Sequence, residues 1–528
     1  MPAPLVERYL AEGWWVDRSV GTTVADGLAA KPDAAFAVHS KVRPWRGTMA
    51  DIDRAARSFA SSLQARGIGP GDVVVFQLPN WVEAAITFWA TAYLGAVIVP
   101  VVHFYGAREL GYIVRVTEPN VVITADRFGS VDYLGAYEPL LADVDTPWLV
   151  VGETPPSQLP SRATPFADLL DSQVLEAPLV ADPDAPALIA FTSGTTRDPK
   201  GVVHSHRTIG FEARQLSTMT NRGGPPHITG APVGHFIGML NALLCSLLRP
   251  DPVHLIDVWD PGEVLRLMLA EDLGLSGGST YFLTSVLDHP DCTAEHIARM
   301  PFAGMGGSTV PVAVTERATA LGIEVFRSYG STEHPSITGS FLDEPREKRC
   351  TTDGHALEGV DVRLDDDGQI LSRGPDLFLG YTDPALTAQV FDDDGWYHTG
   401  DIGVFDGDGY LTITDRISDI IIRGGENISA QEVEEVLLGL DSIAEVSVVA
   451  EPDERLGERA AAVFRVREGA SAPTLGDVQA HLATAGLAKQ KWPESLYEVT
   501  DLPRTPSGKV QKFRLRQQLR DGRLDHAR

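Results

Sequence analysis

Between Phe191 and Gly201 the chain reads FTSGTTRDPKG, gathering Thr192, Ser193, Gly194, Thr195, Thr196 and Lys200 into one short run after the apolar Ala187-Leu188-Ile189-Ala190. Hydroxyls, backbone N–H groups and an ammonium are the groups that hold a polyphosphate. A polar surface loop after a strand would have the same composition. The spacing is not that of a Walker A loop, because no second glycine precedes Lys200 at the required place. A second chemical pattern, Gly274-Leu275-Ser276-Gly277-Gly278, satisfies the G-x-S-x-G of serine hydrolases. A nucleophile elbow needs a strand before the serine and a helix after it, whereas here the preceding element reads as helical and more glycine follows. The acidic runs Asp365-Asp366-Asp367-Gly368 and Asp406-Gly407-Asp408-Gly409 lack the spacing and closing Glu of a calcium loop, so they read as hairpin turns. Cys245, Cys292 and Cys350 are odd in number, far apart and without metal-ligand spacing, which fits a reducing, cytoplasmic setting.

The elements that must position these groups can be read from the pattern around them. A chain of 528 residues implies about two to four domains. Its net charge of -28 argues against nucleic-acid binding, which depends on basic surface. Any anionic ligand must therefore meet a local positive site, since the wider field is screened beyond roughly 8 Å. The N-terminus carries no basic segment of a signal peptide. The uncharged stretch 84–107 is long enough to span a membrane, but Gly95 and Pro100 divide it into a buried helix and a buried strand, so no integral membrane segment is expected. Thr48 with Asp51 forms a capping box before Ile52, Ala56, Phe59 and Leu63 at helical spacing, and Asp260-Pro261-Gly262-Glu263 is another helix start. Strand runs at 72–76, 121–124 and 148–151 give βα repeats around a parallel sheet. From about residue 355 short hairpins take over, and after Arg416 a compact α+β unit begins, with Ser429 and Glu432 opening a helix. The last forty residues hold ten Lys/Arg against five acids, which suggests that this end approaches an anion.

Five motifs stand in order along the chain: FTSGTTRDPKG at 191–201, SYGSTE at 328–333, GWYHTGD at 395–401, DRISDIIIRGGENISAQEVE at 415–434 and RTPSGK at 504–509. Together they resemble the adenylate-forming superfamily, which contains acyl- and aryl-CoA ligases, peptide-synthetase adenylation domains and luciferases. The resemblance implies an α/β fold: a large N-terminal domain (1–416) of βα-layered subdomains with a small β-barrel-like subdomain, then a small mobile α+β C-terminal domain (417–528). It implies ATP, coenzyme A and Mg²⁺ as co-substrates and cofactor, and a carboxylic acid as substrate. Thr192, Ser193, Gly194, Thr195 and Thr196 would hold the leaving pyrophosphate with Lys200, Thr332 would contact the α-phosphate, and Glu333 would ligate Mg²⁺. Tyr329 and Gly330 with the Gly306-Gly307-Ser308 turn would frame the adenine, Asp401 would accept from the ribose hydroxyls, and Arg416 would donate to ribose or phosphate. Lys509 would be the mobile catalytic lysine. Rotation of the C-terminal domain about a hinge at Ser418 would exchange it for Gly424-Gly425, which lines the channel for coenzyme A, where backbone approach leaves no room for a Cβ. A homodimer is compatible with this family.

Two departures stand out: Arg197 where the loop usually has glycine, and Ser418 where the hinge usually has Asp or Lys. The segment 232–240 contains no acid to hold a substrate amine, so an amino acid is not the expected substrate. His235, Phe236, Met239, Tyr281, Phe282, Gly304 and Met305 suggest an apolar pocket gated by His235, for a medium-chain, alicyclic or aromatic acid. The chain ends soon after RTPSGK with no carrier domain, which favours free coenzyme A as acceptor. Transfer to a carrier protein is an alternative, and a Ser276 hydrolase or a non-catalytic nucleotide binder would be alternatives of another class.

Overall fold

The computed structural model describes the chain except residues 143, 171–172, 193–197, 221–222, 250, 506–507, 525 and 527–528. The βα repeats condense into an eight-stranded sheet, ordered Gly380–Tyr381, Lys200–Ser205, Pro186–Thr192, Val97–Pro100, Val73–Gln77, Val121–Ala125, Trp148–Val151 and Ala163–Pro165. Its middle strands are parallel, and the Pro186–Thr192 and Lys200–Ser205 pair that flanks the hydroxyl-rich loop is antiparallel, with Thr192 opposite Lys200. The uncharged stretch resolves into the helix Val82–Tyr93 and the strand Val97–Pro100, both buried throughout. The helix Met49–Gln64 starts on the Thr48/Asp51 capping box, and Asp260 caps Pro261–Ala270. No helix among the described residues is long and apolar enough to cross a membrane.

A second, five-stranded sheet runs Gly277–Gly278, Phe302–Met305, Glu324–Tyr329, Thr338–Gly339, His355–Ala356, its first three strands parallel. Ligands of such sheets collect at the carboxyl ends of parallel strands. Thr192, Gly306 and Tyr329-Gly330 occupy those ends in the two sheets. The hairpin region forms a four-stranded antiparallel sheet, and Tyr397–Phe405 pairs with Leu411–Arg416 so that Asp401 faces Arg416. Its acidic turns spend their carboxylates locally: Asp365 and Asp406 each accept from two backbone N–H groups of their own turn.

After Arg416 comes a short 3-10 turn, Ile417–Asp419, and then the small α+β unit. Its sheet joins Glu426–Ile428, Ile421–Arg423, Gly457–Val466 and Ile443–Asp453, with Ser495–Glu498 beside Gly457–Val466. Helices Ala430–Leu437 and Leu475–Thr484 bury Val433, Leu437, Val478 and Leu482 against Phe464. Much of the basic tail is turned inward. Lys491 pairs with Glu432, Arg504 with Glu445, Lys512 with Glu434 and Arg516 with Asp419, all within the unit. Those charges hold the unit together and are not free to attract an anion.

Candidate active site

Two strands bring Tyr329, Asp401 and Arg416 together. Tyr329, at the end of Glu324–Tyr329 and buried, donates its phenol to Asp401 Oδ2 at 2.7 Å. The cross-strand register brings Arg416 Nε to 2.7 Å from Asp401 Oδ1. Asp401 is only 3 % exposed, so a buried carboxylate is satisfied by one neutral and one cationic donor. Burial, and then the Asp401 charge, raise the Tyr329 phenol well above its ordinary range. The Asp401 carboxylate likewise raises Arg416. Close backbone approach explains the glycines beside them. A Cβ on Gly306 would lie 2.7 Å from the Ser328 carbonyl, and one on Gly330 would collide with the Pro335 carbonyl, while Gly307 has φ +74 and Ser308 follows it in the turn.

The Thr332-Glu333 pair is pinned from the eight-stranded sheet. Tyr381 donates its hydroxyl to Glu333 Oε1 at 2.8 Å, and Lys200 Nζ lies 5.3 Å over the Tyr381 ring. The Glu333 carbonyl accepts from Phe378 N–H at 2.8 Å, and the neighbouring Thr332 carbonyl from His204 Nε2 at 2.8 Å. A carboxylate oxygen such as Glu333 Oε2 is the kind of group a hard cation prefers. Ser193, Gly194, Thr195, Thr196 and Arg197 lie outside the described residues; Thr192 and Lys200 mark the two ends of that segment.

Lys509 reaches the same place from the far end of the chain. The charge of Arg416 and then burial lower its ammonium from the ordinary 10.5 to about 8, with Asp401, Asp419 and Glu333 acting in the opposite sense. The turn that carries it docks tightly. A Cβ on Gly508, at φ +86, would sit 2.6 Å from Ser279 Oγ and 2.7 Å from Tyr281 Cβ, so only glycine fits there. Arg504 stacks over the Tyr281 ring at 5.5 Å. Groups separated by much of the chain, Glu333, Asp401, Arg416 and Lys509, are thus close enough to feel one another's charge.

The model of the AMP-binding enzyme family matches residues 25–382, and that of the AMP-binding enzyme C-terminal domain matches residues 432–509. The chain belongs to the AMP-binding enzyme family. This AMP-binding enzyme is 32% identical to the medium-chain fatty-acid–CoA ligase of Escherichia coli, over 97% of this chain and 92% of that one. It is 34% identical, over 90% of this chain and 94% of the other, to a Rhodococcus jostii ligase named for the CoA thioester of a methyl-dioxo-octahydroindenyl propanoate. Among solved structures it is similar to ATP-bound MatB from Rhodopseudomonas palustris, with a TM-score of 0.83, 27% identity and coverage of 95% and 99% of the two chains.

The remaining residues of the AMP-binding enzyme fall in distinct places. His235 stands at the N-cap position of the helix Phe236–Met239 without a side-chain capping bond; burial lowers its imidazole to about 4, Lys509 pushes the same way, and its Nδ1 has no partner among the described residues. Phe236 is buried, and Met239 and Met305 are fully buried in two separate hydrophobic clusters. Gly304 faces the Phe326 ring, which a Cβ would meet at 2.6 Å. A cavity of about 830 Å³ opens between the small unit and the rest, lined by His103, Trp259, Tyr281, Asp501, Arg504 and Arg523 among others; none of the five residues just named lines it. Ser276 precedes the two-residue strand Gly277–Gly278 and does not stand between a strand and a helix, so the elbow geometry is missing. Gly424 and Gly425, at φ +59 and +94, form an exposed hairpin turn, and Ser418 is exposed in the 3-10 turn. Tyr381 and His204 were missed by sequence reasoning. Neither sits in a motif, and only the pairing of Lys200–Ser205 with Gly380–Tyr381 brings them to Thr332 and Glu333.

Proposed function

We propose that this enzyme is an ATP-dependent carboxylate–CoA ligase. In the first step a carboxylate oxygen bonds to the α-phosphorus of ATP and the bond to the bridging oxygen breaks, giving an acyl-adenylate and pyrophosphate. In the second the sulfur of coenzyme A bonds to the acyl carbon, the acyl–oxygen bond breaks, and AMP leaves while the thiol proton passes to solvent. The observation that carries this reading is the convergence of Lys509 with Arg416, Asp401 and Glu333. Positioned charge is what phosphoryl-type transfer requires of a protein.

In the first step Lys509 neutralises charge developing on the bridging oxygens, and Thr332 orients the α-phosphate. Thr192 and Lys200, with the Ser193–Thr196 hydroxyls and N–H groups, clamp the leaving pyrophosphate. Asp401 and Arg416 hold the ribose, and Tyr329 with Gly306, Gly307, Ser308 and Gly330 frames the base. Glu333 offers the oxygen that Mg²⁺ prefers, and the ion when bound would spread phosphate charge. Residues 1–416 and 417–528 act as two domains pivoting at Ser418, and rotation brings Gly424-Gly425 in to line the pantetheine path for the second step. His235, Phe236, Met239, Gly304 and Met305 shape the acyl site. The names of the two curated relatives support a medium-chain or alicyclic acid as substrate. A pyrophosphate-release screen over carboxylic acids, with and without coenzyme A, tests this. Acid-dependent release with AMP and thioester formation is expected, and release without thioester would instead favour a carrier-protein acceptor, the kind of product named for a relative 28% identical to this chain.

A further inference from the structure

The strand Lys200–Ser205 does more than close the hydroxyl-rich loop. Side chains alternate along a strand, so Lys200, Val202 and His204 point to one face. Its neighbour Gly380–Tyr381 places Tyr381 opposite Val202 on that face. Lys200 lies over the Tyr381 ring, and Tyr381 holds the Glu333 carboxylate. Two residues further along, His204 holds the Thr332 carbonyl. One strand face therefore fixes both members of the Thr332-Glu333 pair.

His204 is completely buried and makes three specific contacts. A carbonyl oxygen only accepts, so the 2.8 Å contact to Thr332 requires that Nε2 carry the proton. Nδ1 is then an acceptor facing the Thr208 hydroxyl at 3.2 Å, whose one proton also has the Ser205 carbonyl at 3.2 Å, so the tautomer is set by the Thr332 carbonyl. The ring stacks on Phe236, with centroids 5.3 Å apart and planes inclined by 30°. Phe236 opens the helix that follows His235, in the segment assigned to the acyl site. Burial lowers His204 to about 4, so the ring is neutral at physiological pH and brings no charge of its own to the phosphates.

We infer that His204 is a positioning residue that joins the acyl-site wall to the phosphate-contacting segment: its ring bears on Phe236 while its Nε2–H sets the height of Thr332. This role rests on the ligase reading above. A change of about 1 Å in the position of a reacting group is enough to cost up to about 100-fold in rate. His204 touches no reacting atom, so its loss should appear in kcat for adenylation more than in KM for ATP.

The experiment is acid-dependent pyrophosphate release by the full chain and by His204→Phe, His204→Gln and His204→Leu, with thermal melts of each. His204→Phe keeps an aromatic ring against Phe236 but has no donor. It is expected to melt near the wild type and to lose about 10- to 100-fold in kcat, with KM for ATP within about 3-fold. His204→Gln can return a donor to Thr332 and should recover part of the rate. Should His204→Phe not fold, His204→Gln and His204→Leu carry the test, since both lack the ring and only the first has a donor: His204→Gln should be the faster of the two. Wild-type kcat in folded His204→Phe, or equal rates in His204→Gln and His204→Leu, overturns the role of His204 while leaving the ligase reading intact. A wild-type chain that releases no pyrophosphate with any acid removes the ligase reading and this role with it.

Discussion

Two glycine-containing turns of the small C-terminal unit, Gly508-Lys509 and Gly424-Gly425, have opposite surroundings. The first is wedged against Ser279 and Tyr281, and its lysine feels Arg416, Asp401 and Glu333. The second stands in solvent, with nothing within 4 Å of where a Cβ on Gly425 would lie and only Leu456 of its own unit near Gly424. Both need a positive φ, so both require glycine for their backbone, but only one also requires it for packing. The unit therefore docks one of these turns and leaves the other exposed. In the proposed alternation the docked turn would serve the charge-demanding first step, and the thiol attack, which needs no lysine charge, would use the other.

The expected effects that separate these turns fall in order of size. Lys509→Ala should lower acyl-adenylate formation by about 1,000-fold, the scale of removing one well-placed donor to a developing charge, as read by pyrophosphate release. Asp401→Asn should lower kcat/KM for ATP by about 100-fold, because the amide keeps one acceptor oxygen but loses the charge that Arg416 and Tyr329 share and that is proposed to hold the ribose hydroxyls. Tyr381→Phe removes one bond to a charged carboxylate at 2.8 Å and should cost about 10-fold in the same assay.

The pH dependence sharpens the contrast further. Lys509 titrates at about 8, below its ordinary 10.5, so its catalytic cation is present below that value and is lost as pH rises through it. Adenylation should decline above about pH 8, and thioester formation from supplied acyl-adenylate should show no such limb. Because Asp401 favours the cation and Arg416 opposes it, the limb should move down in Asp401→Asn and up in Arg416→Ala. In the absence of nucleotide the docked turn binds fewer protons than the free one, so docking should strengthen as pH rises from about 8 towards 10.5. Smallest of all, Gly425→Ala places a Cβ in open space at φ +94 and should cost about 1 kcal/mol of stability in a denaturant melt, with adenylation unchanged.

Local chemistry was legible in the sequence. The Thr48/Asp51 box, the Asp260 cap and the Ser429 cap are contacts within one turn of chain, and the structure forms all three. The uncharged 84–107 stretch was readable for the same reason, since Gly95 and Pro100 act where they stand. The Asp401–Arg416 pair follows from a hairpin whose turn residues were visible. What depended on distant strands was not legible. His204 and Tyr381 acquire their roles only because Lys200–Ser205 lies between Pro186–Thr192 and Gly380–Tyr381. That Lys491, Arg504 and Lys512 of the basic tail are held in ion pairs was not legible, because their partners Glu432, Glu445 and Glu434 lie far back in sequence, whereas Lys509 of the same tail meets Arg416, Asp401 and Glu333.

Domain alternation is tested most directly by assaying Lys509→Ala and Gly425→Ala side by side in both half-reactions, pyrophosphate release from acid and ATP, and thioester formation from synthetic acyl-adenylate and coenzyme A. The expected result is a crossover: Lys509→Ala fails in the first and largely keeps the second, while Gly425→Ala keeps the first and is slowed in the second. Equal loss of both half-reactions in Lys509→Ala would contradict the exchange of these two turns at one site.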